Sequence, residues 1–325
     1  MSTKKFVLAE LKKNIGTFIS GAELANTLNL SRTAVWKAIN CLKNDGYKIE
    51  SSTNKGYSLT QTKDELSYEE IQKYLSPEYS NIEIVMYDEV TSTNNIAKQK
   101  AISGTANEAV IISDRQTAGR GRLGRSFFSP EGTGIYMSMI LTPGDTIENS
   151  ILITVAVSVA VARAIEKVTG KYVQIKWVND LYYNNKKICG ILTEAVTNME
   201  SSTIENIITG IGINYSTGTG DFPSELKDTA GSLFNGSCSN ISRNKLIAEI
   251  INNVIHISKA LTSREYMNEY RERSYVIGKR VNIIRGSESI SAKVMDIDNN
   301  GCLIAEDENH NILTVNSGEV SIRTI

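Results

Sequence analysis

The run Gln116-Thr117-Ala118-Gly119-Arg120-Gly121-Arg122-Leu123-Gly124-Arg125 follows directly on the β-like run Ala109-Val110-Ile111-Ile112-Ser113, and its reading decides the fold. It contains G-x-G-x-x-G, the spelling of a dinucleotide-binding loop. Such a loop opens a helix whose N-terminus meets the pyrophosphate. Here Ser126-Phe127-Phe128-Ser129-Pro130-Glu131-Gly132-Thr133-Gly134 is turn-like and leads into another apolar run. The stretch also lacks the Lys-Ser/Thr ending of a phosphate-binding P-loop. Three arginines interleaved with glycines describe a different device, a loop that closes around a polyanion and neutralises it with guanidinium forks.

On either side of this loop, short β-like runs at Ile82 to Tyr87, Ala109 to Ser113, Ile135 to Leu141, Val173 to Val178, Lys187 to Thr193 and Ile204 to Ile213 alternate with helical segments at 94–102 and 151–168. That order predicts an α+β chain whose central part is an α/β layer with a mixed sheet. Three polar clusters fall at its strand ends. In Lys176-Trp177-Val178-Asn179-Asp180, polar groups crowd one junction where burial requires a partner or a ligand, although Asn179-Asp180 alone also suits a hairpin turn. Lys187 begins the next strand and can return its ammonium to the same place. Thr91-Ser92-Thr93-Asn94 suits a neutral hydrogen-bonding ligand head, and equally a helix N-cap. Gly210-Ile211-Gly212-Ile213-Asn214 lets backbone approach a ligand closely.

The first 62 residues differ from the rest. The chain of 325 residues has a net charge of −1, yet residues 1–62 hold nine Lys/Arg against four acids, or +5, which leaves −6 for the remainder. A small basic module on an acidic body points to a polyanion partner for that module. Phe6, Val7, Leu8, Leu11 and Ile15 recur at helical spacing before Gly16. From Gly21 to Asn40, small Ala25, turn residue Asn29 and then Val35 have helix-turn-helix spacing, and Ser31 can cap the second helix. With Val35, Ile39 and Leu42 inward, Arg32, Thr33, Trp36, Lys37 and Asn40 lie on the outer face, where a recognition helix meets phosphates and base edges. A hairpin from Tyr47 to Leu59 with Lys55 at its tip completes a winged helix-turn-helix. Residues 63–79 read as a connecting helix and linker.

Composition narrows the chemistry. With 41% hydrophobic residues the chain is globular rather than disordered. Its two histidines, His256 and His310, stand apart from each other and from any carboxylate or Cys cluster, so neither a His-based zinc site nor a Ser-His-Asp triad is supported. Cys41, Cys189, Cys238 and Cys302 are isolated, which fits the reducing cytoplasm. The apolar run Ile151 to Ile165 is shorter than the roughly 20 residues a membrane span needs, so no membrane partner is expected. Residues 276–325 turn to short strands separated by Asn299-Asn300-Gly301 and Glu308-Asn309-His310-Asn311, with His310 a turn residue.

Five motifs in this order behind a winged helix, Thr91-Ser92-Thr93-Asn94, Gln116 to Arg125, Lys176 to Asp180, Lys187-x-x-Gly190 and Gly210 to Asn214, resemble those of the bifunctional biotin protein ligase and biotin-operon repressor family. The resemblance covers nearly the whole chain and implies a catalytic domain over 80–275 and an SH3-like β-barrel over 276–325. It implies ATP and biotin as substrates with Mg²⁺: biotinoyl-AMP forms first, and a lysine of a biotin carboxyl carrier domain then displaces AMP. It further implies repression at operator DNA by a homodimer formed when biotinoyl-AMP, the corepressor, is bound. Carried over by motif, Ser92, Thr93, Asn94, Gln116, Arg120, Gly121, Arg122 and Lys187 hold biotin, while Arg120, Arg122, Phe127, Lys176 and Asn179 hold the nucleotide. Lys187, Arg122 and Asp180 carry the chemistry, with Asp180 toward Mg²⁺; Arg32, Thr33, Trp36, Lys37, Asn40 and Lys55 meet DNA. Position 178 is Val where the family usually has Pro, and position 127 is Phe where some members have Trp; neither change removes a charge. A lipoate ligase on the related fold and a ligand sensor without turnover are the competing readings.

Overall fold

A computed structural model describes residues 3–44, 47–61, 64–105, 108–142, 150–197, 204–237, 241–285, 288–316 and 318–322, so that Cys238 lies outside the described residues. The chain divides into two compact units, Met1–Glu65 and Leu66–Ile325.

The first unit has helices α1 (Thr3–Lys13), α2 (Gly21–Thr27) and α3 (Arg32–Asn44), then an antiparallel hairpin of β1 (Lys48–Ser52) and β2 (Gly56–Gln61). Its helix-turn-helix geometry has local causes. Asn29 takes the left-handed conformation (φ 52°) between α2 and α3. The Ser31 hydroxyl accepts from the Ala34 N–H at 3.1 Å, capping α3. Val35, Ile39 and Leu42 are fully buried with Val7, Leu11, Leu24 and Leu59, a core drawn from all three helices and the hairpin.

The second unit begins with a short helix inside the stretch read as a connecting helix and linker. Ile71 of α4 (Tyr68–Gln72), Leu75 and Tyr79 recur every four residues and are buried in the main core. The Ser67 and Ser76 N–H groups donate to Asn244 Oδ1 and Asn252 Oδ1, both at 2.9 Å, fixing this stretch to a later helix. Then come β3 (Glu83–Val90), α5 (Thr93–Ile102), β4 (Ala109–Gln116), β5 (Gly134–Leu141), α6 (Ser150–Thr169), β6 (Gln174–Lys176), β7 (Asp180–Tyr183), β8 (Lys186–Thr197), β9 (Ile204–Asn214), α7 (Arg243–Lys259) and α8 (Tyr266–Glu272). The strands form one mixed sheet ordered β3-β4-β5-β9-β8-β7-β6, parallel between β3 and β4 and antiparallel elsewhere. β7 is not among the strands expected from the sequence; the hairpin turn considered at Asn179-Asp180 leads into it, and the Trp177–Val178 peptide before it is cis.

Alternation sorts the two faces of this sheet. Val110, Ile112, Ile135, Met139, Ile207, Ile211 and Ile213 share a core with α6 and α7. Ala109, Ile111, Ile140 and Ile208 share a smaller one with Ala97 and Ala101 of α5. Of the described helices, none is long and apolar enough to cross a membrane; α6 is a core helix.

The C-terminal part consists of β10 (Arg280–Arg285), β11 (Glu288–Ile297), β12 (Leu303–Asp307), β13 (Ile312–Val315) and β14 (Glu319–Ile322). They pair antiparallel in the order β13-β12-β11-β10-β14, and among the described residues the end strands β13 and β14 do not pair. The observed arrangement is thus a five-stranded antiparallel sheet; its topology does not show the closed barrel expected. Trp177 Nε1 donates to the Gly301 carbonyl at 2.9 Å, tying this sheet to the strand-end cluster of the larger one.

Candidate active site

On the α5 face of the large sheet the register places glycines side by side: Gly190 opposite Gly212, and Gly210 between Ser138 and Leu192. Missing side chains open a cavity of about 330 Å³, within the range of small-molecule sites. Every residue assigned above to biotin, nucleotide or catalysis lines it: Ser92, Thr93, Asn94, Gln116, Arg120, Gly121, Arg122, Phe127, Lys176, Asn179, Asp180 and Lys187.

One wall is neutral and polar. The Gln116 carbonyl accepts from the Thr93 N–H at 2.9 Å and the Thr93 hydroxyl at 3.2 Å, and its amide donates to Ser129 Oγ at 3.0 Å. Asn94, 4% exposed, donates through Nδ2 to Glu194 Oε2 at 2.9 Å, and its Oδ1 accepts from the Ser138 hydroxyl at 2.6 Å. Ser92 precedes α5 and is buried, but its side chain makes no capping bond, unlike the cap reading of that residue.

The charged lining is mostly cationic. Arg120 reaches Glu194 through both terminal nitrogens, Nη1 to Oε2 at 3.3 Å and Nη2 to Oε1 at 3.2 Å, and donates to Asn95 Oδ1 at 3.0 Å. Arg122 donates to Asn179 Oδ1 at 3.2 Å and to the Gly318 carbonyl at 3.4 Å. Lys187 Nζ lies 2.7 Å from Asp180 Oδ1, so the ammonium does return to the Asn179-Asp180 junction. Lys176 Nζ stands 5.5 Å from the centre of the Tyr182 ring. Phe127 rests against Gly212 and meets Tyr136 edge-on, with ring centres 6.4 Å apart.

No described histidine lines the cavity. Burial pushes the Cys189 thiol well up, and Asp180 beside it adds to the effect, so this cysteine is a neutral packing group and not a nucleophile. Burial likewise raises the Tyr270 phenol, which donates to the Val178 carbonyl at 3.1 Å beneath the junction. The arrangement therefore offers hydrogen-bond recognition and positive charge without a strong base. Sequence reading assigned no role to Ser138, Glu194, Asn95 or Gly318. Asn95 directly follows the Thr91-Ser92-Thr93-Asn94 motif and Glu194 directly follows the run that Lys187 begins, so both stand beside recognised motifs, whereas nothing near Ser138 or Gly318 in sequence marks them; strand pairing and loop closure bring those two in.

In the first unit, Arg32, Thr33, Trp36 and Lys37 are exposed along α3, Asn40 is half-buried, and Lys55 is exposed in the hairpin turn. Arg32, Thr33 and Trp36 face Thr53 and Asn54 across a shallow concavity, so recognition helix and hairpin border one surface.

Three family models match this chain: the biotin/lipoate A/B protein ligase family over residues 87–214, an HTH domain over 3–58 and the biotin protein ligase C-terminal domain over 276–323. The chain is 36% identical to the bifunctional ligase/repressor BirA of Bacillus spizizenii, covering 94% of each chain. It is 34% identical to the BirA of Bacillus subtilis, covering 99% of each. Among solved structures, the biotin protein ligase of Aquifex aeolicus in complex with biotin and ATP superposes with a TM-score of 0.64 at 28% identity, covering 74% of this chain and 98% of that one.

Proposed function

The chain belongs to the biotin protein ligase family of bifunctional ligase/repressors, and from that premise we propose that it is an ATP-dependent biotin ligase that also represses transcription. The observation that carries the reading is one cavity lined both by neutral amide and hydroxyl side chains and by arginine and lysine.

In the first half-reaction a biotin carboxylate oxygen attacks the α-phosphorus of ATP. The bond to the bridging oxygen breaks, giving biotinoyl-AMP and pyrophosphate. In the second, a neutral carrier-domain lysine amine attacks the acyl carbon, an amide forms as the amine's proton passes to solvent, and AMP leaves with the electron pair. Negative charge builds on phosphate oxygens in both steps, so orientation and fixed positive charge are what the site must supply. Ser92, Thr93, Asn94 and Gln116 receive the ureido head of biotin. Arg120, Gly121 and Arg122 clamp the carboxylate and phosphate region, and Lys187 swings from Asp180 to the activated carboxyl. Lys176, Asn179 and Phe127 border the nucleotide.

Among the described residues no group of three or more His, Cys, Asp or Glu is assembled. Mg²⁺ needs no such cage, since it keeps several waters and shares ligand phosphates. A single carboxylate, Asp180, suffices to hold it, and the ion would supply charge neutralisation on the phosphates. Lipoate fits less well: its dithiolane offers no partners for the amide and hydroxyl wall, and buried polar groups left unpaired weaken binding.

In the other half, α3 and the hairpin meet operator DNA. Biotinoyl-AMP is the corepressor, a homodimer forms when it is bound, and the working place is the cytoplasm. We read the C-terminal sheet as the SH3-like module of the family. Incubation with biotin, ATP, Mg²⁺ and a biotin carboxyl carrier domain transfers label to one carrier lysine; absence of both transfer and adenylate refutes the reading.

A further inference from the structure

Glu194 has no assigned part, yet it touches neutral and cationic lining alike. Its carboxylate lies on β8, one-fifth exposed, against Asn94 Nδ2 at 2.9 Å and against both terminal nitrogens of Arg120. A carboxylate only accepts hydrogen bonds, so whatever faces it must be a donor. That settles which way the Asn94 amide points: nitrogen to Glu194, oxygen to the Ser138 hydroxyl and the bare backbone of Gly210. Among the described residues that nitrogen has one further acceptor, the Leu192 carbonyl, at a long 3.4 Å, so without the carboxylate the two ends of the amide, nearly equivalent in shape, are only weakly distinguished. An oxygen with one lone pair on Ser138 keeps the second for an incoming N–H donor. The same carboxylate holds Arg120, which belongs to the glycine loop far from Asn94 in sequence.

We propose that Glu194 is a positioning residue of the ligase site, setting the Asn94 amide as an acceptor toward the N–H groups of the substrate's cyclic urea while latching Arg120, and with it the glycine loop, over the occupied cavity. The proposal rests on the ligase reading given above. Neutral, isosteric Glu194→Gln keeps the shape but must present its own NH2 group to one of two donors. Either Asn94 turns or the latch on Arg120 opens.

The test compares the full-length parent, Glu194→Gln and Glu194→Asp. Three readouts are taken: biotin affinity by calorimetry without ATP, KM for biotin and for ATP, and free biotinoyl-AMP appearing in solution during turnover. Glu194→Gln is expected to weaken biotin binding by about tenfold or more, to raise the biotin KM more than the ATP KM, and to leak adenylate. Glu194→Asp, which restores an acceptor-only carboxylate, recovers part of both losses. A purely structural role would instead lower the unfolding temperature and depress all constants together, with no split between substrates. An active parent whose Glu194→Gln variant keeps biotin affinity within twofold and leaks no adenylate overturns this inference alone. A parent that binds no biotin overturns the ligase reading and this inference with it.

Discussion

Gly210→Ala is the smallest change that tests how tightly the polar wall is held. A β-carbon at position 210 would lie 2.1 Å from Asn94 Oδ1 and 2.8 Å from its Cγ. Non-bonded heavy atoms of this kind settle near roughly 3.5 Å, so the amide must retreat by more than about 1 Å. Gly210 has no left-handed φ, and alanine therefore brings no backbone strain; the effect is the clash. Asn94 cannot yield freely, because it is buried at the start of α5 and bonded to both Glu194 and Ser138. A retreat breaks both bonds, the one to Ser138 worth about 1 kcal/mol and the charged one about 2 kcal/mol. That sum is lost from folding stability, since both bonds exist without ligand; biotin affinity falls separately, by about tenfold, because the displaced amide no longer offers its oxygen to the ligand. Gly212→Ala is the control: its β-carbon meets the Phe127 ring at 2.7 Å, and that ring lies on the loop and can tilt. It should change the ATP KM a few-fold and spare biotin. Calorimetry of biotin binding on both variants, with unfolding curves to confirm folding, decides the matter. A folded Gly210→Ala protein binding biotin within threefold of the parent would falsify the claim that Asn94 is pinned.

Removing cations from the cavity lining should act on chemistry rather than on folding. Arg122→Ala and Lys187→Ala are each expected to slow adenylate formation by about a hundredfold, followed as pyrophosphate release; a change below threefold would deny them a role. In the first unit, Arg32→Ala and Lys37→Ala should weaken DNA binding and each lower the salt slope by about one, with carrier biotinylation unchanged. Equal salt slopes in mobility-shift titrations would remove these residues from the DNA face. Ile71→Ala should cost about 2–5 kcal/mol in denaturant unfolding if Leu66 to Tyr79 belongs to the body of the second unit; a loss below 1 kcal/mol would return it to linker status.

The winged helix was legible because its determinants are local. Asn29 in the turn, Ser31 as cap and the Val35, Ile39, Leu42 stripe each act within one or two helical turns, and the structure has all three. The central strands were legible for the same reason, being apolar runs bounded by turns. A connecting helix before residue 79 was legible too, but its seat in the main core was not, because the asparagines of α7 that hold this stretch lie far away in sequence. β7 was missed because it is only four residues long and its pairing with β6 and β8 is decided by the sheet; the turn chemistry of Asn179-Asp180 marked the hairpin bend at its start. Site residues followed the same division. Those inside glycine-rich or hydroxyl-rich motifs stood out, while Ser138 and Glu194 sit in ordinary strands and gain their meaning from register.

The pairings inside the cavity also explain how a site can hold several cations ready without sealing itself. Arg120, Arg122, Arg125, Lys176 and Lys187 line it, against Asp180 as the one lining carboxylate among the described residues. Lys187 is one-third exposed, so its contact with Asp180 is a partly screened pair worth at most about 1 kcal/mol. Among the described residues, Arg122 is held by neutral oxygens, those of Asn179 and Gly318. Charge-assisted bonds to phosphate are stronger than either arrangement. A triphosphate or an adenylate therefore displaces these contacts at little cost, and the cations meet it already close to their working positions. Arg120 is held more firmly, doubly bonded to Glu194 and to Asn95, so it anchors the loop and clamps from a fixed position. Rate enhancement then depends on where charge is held and not on proton abstraction, and a chain with two histidines, neither of them in the cavity, is not short of catalytic means.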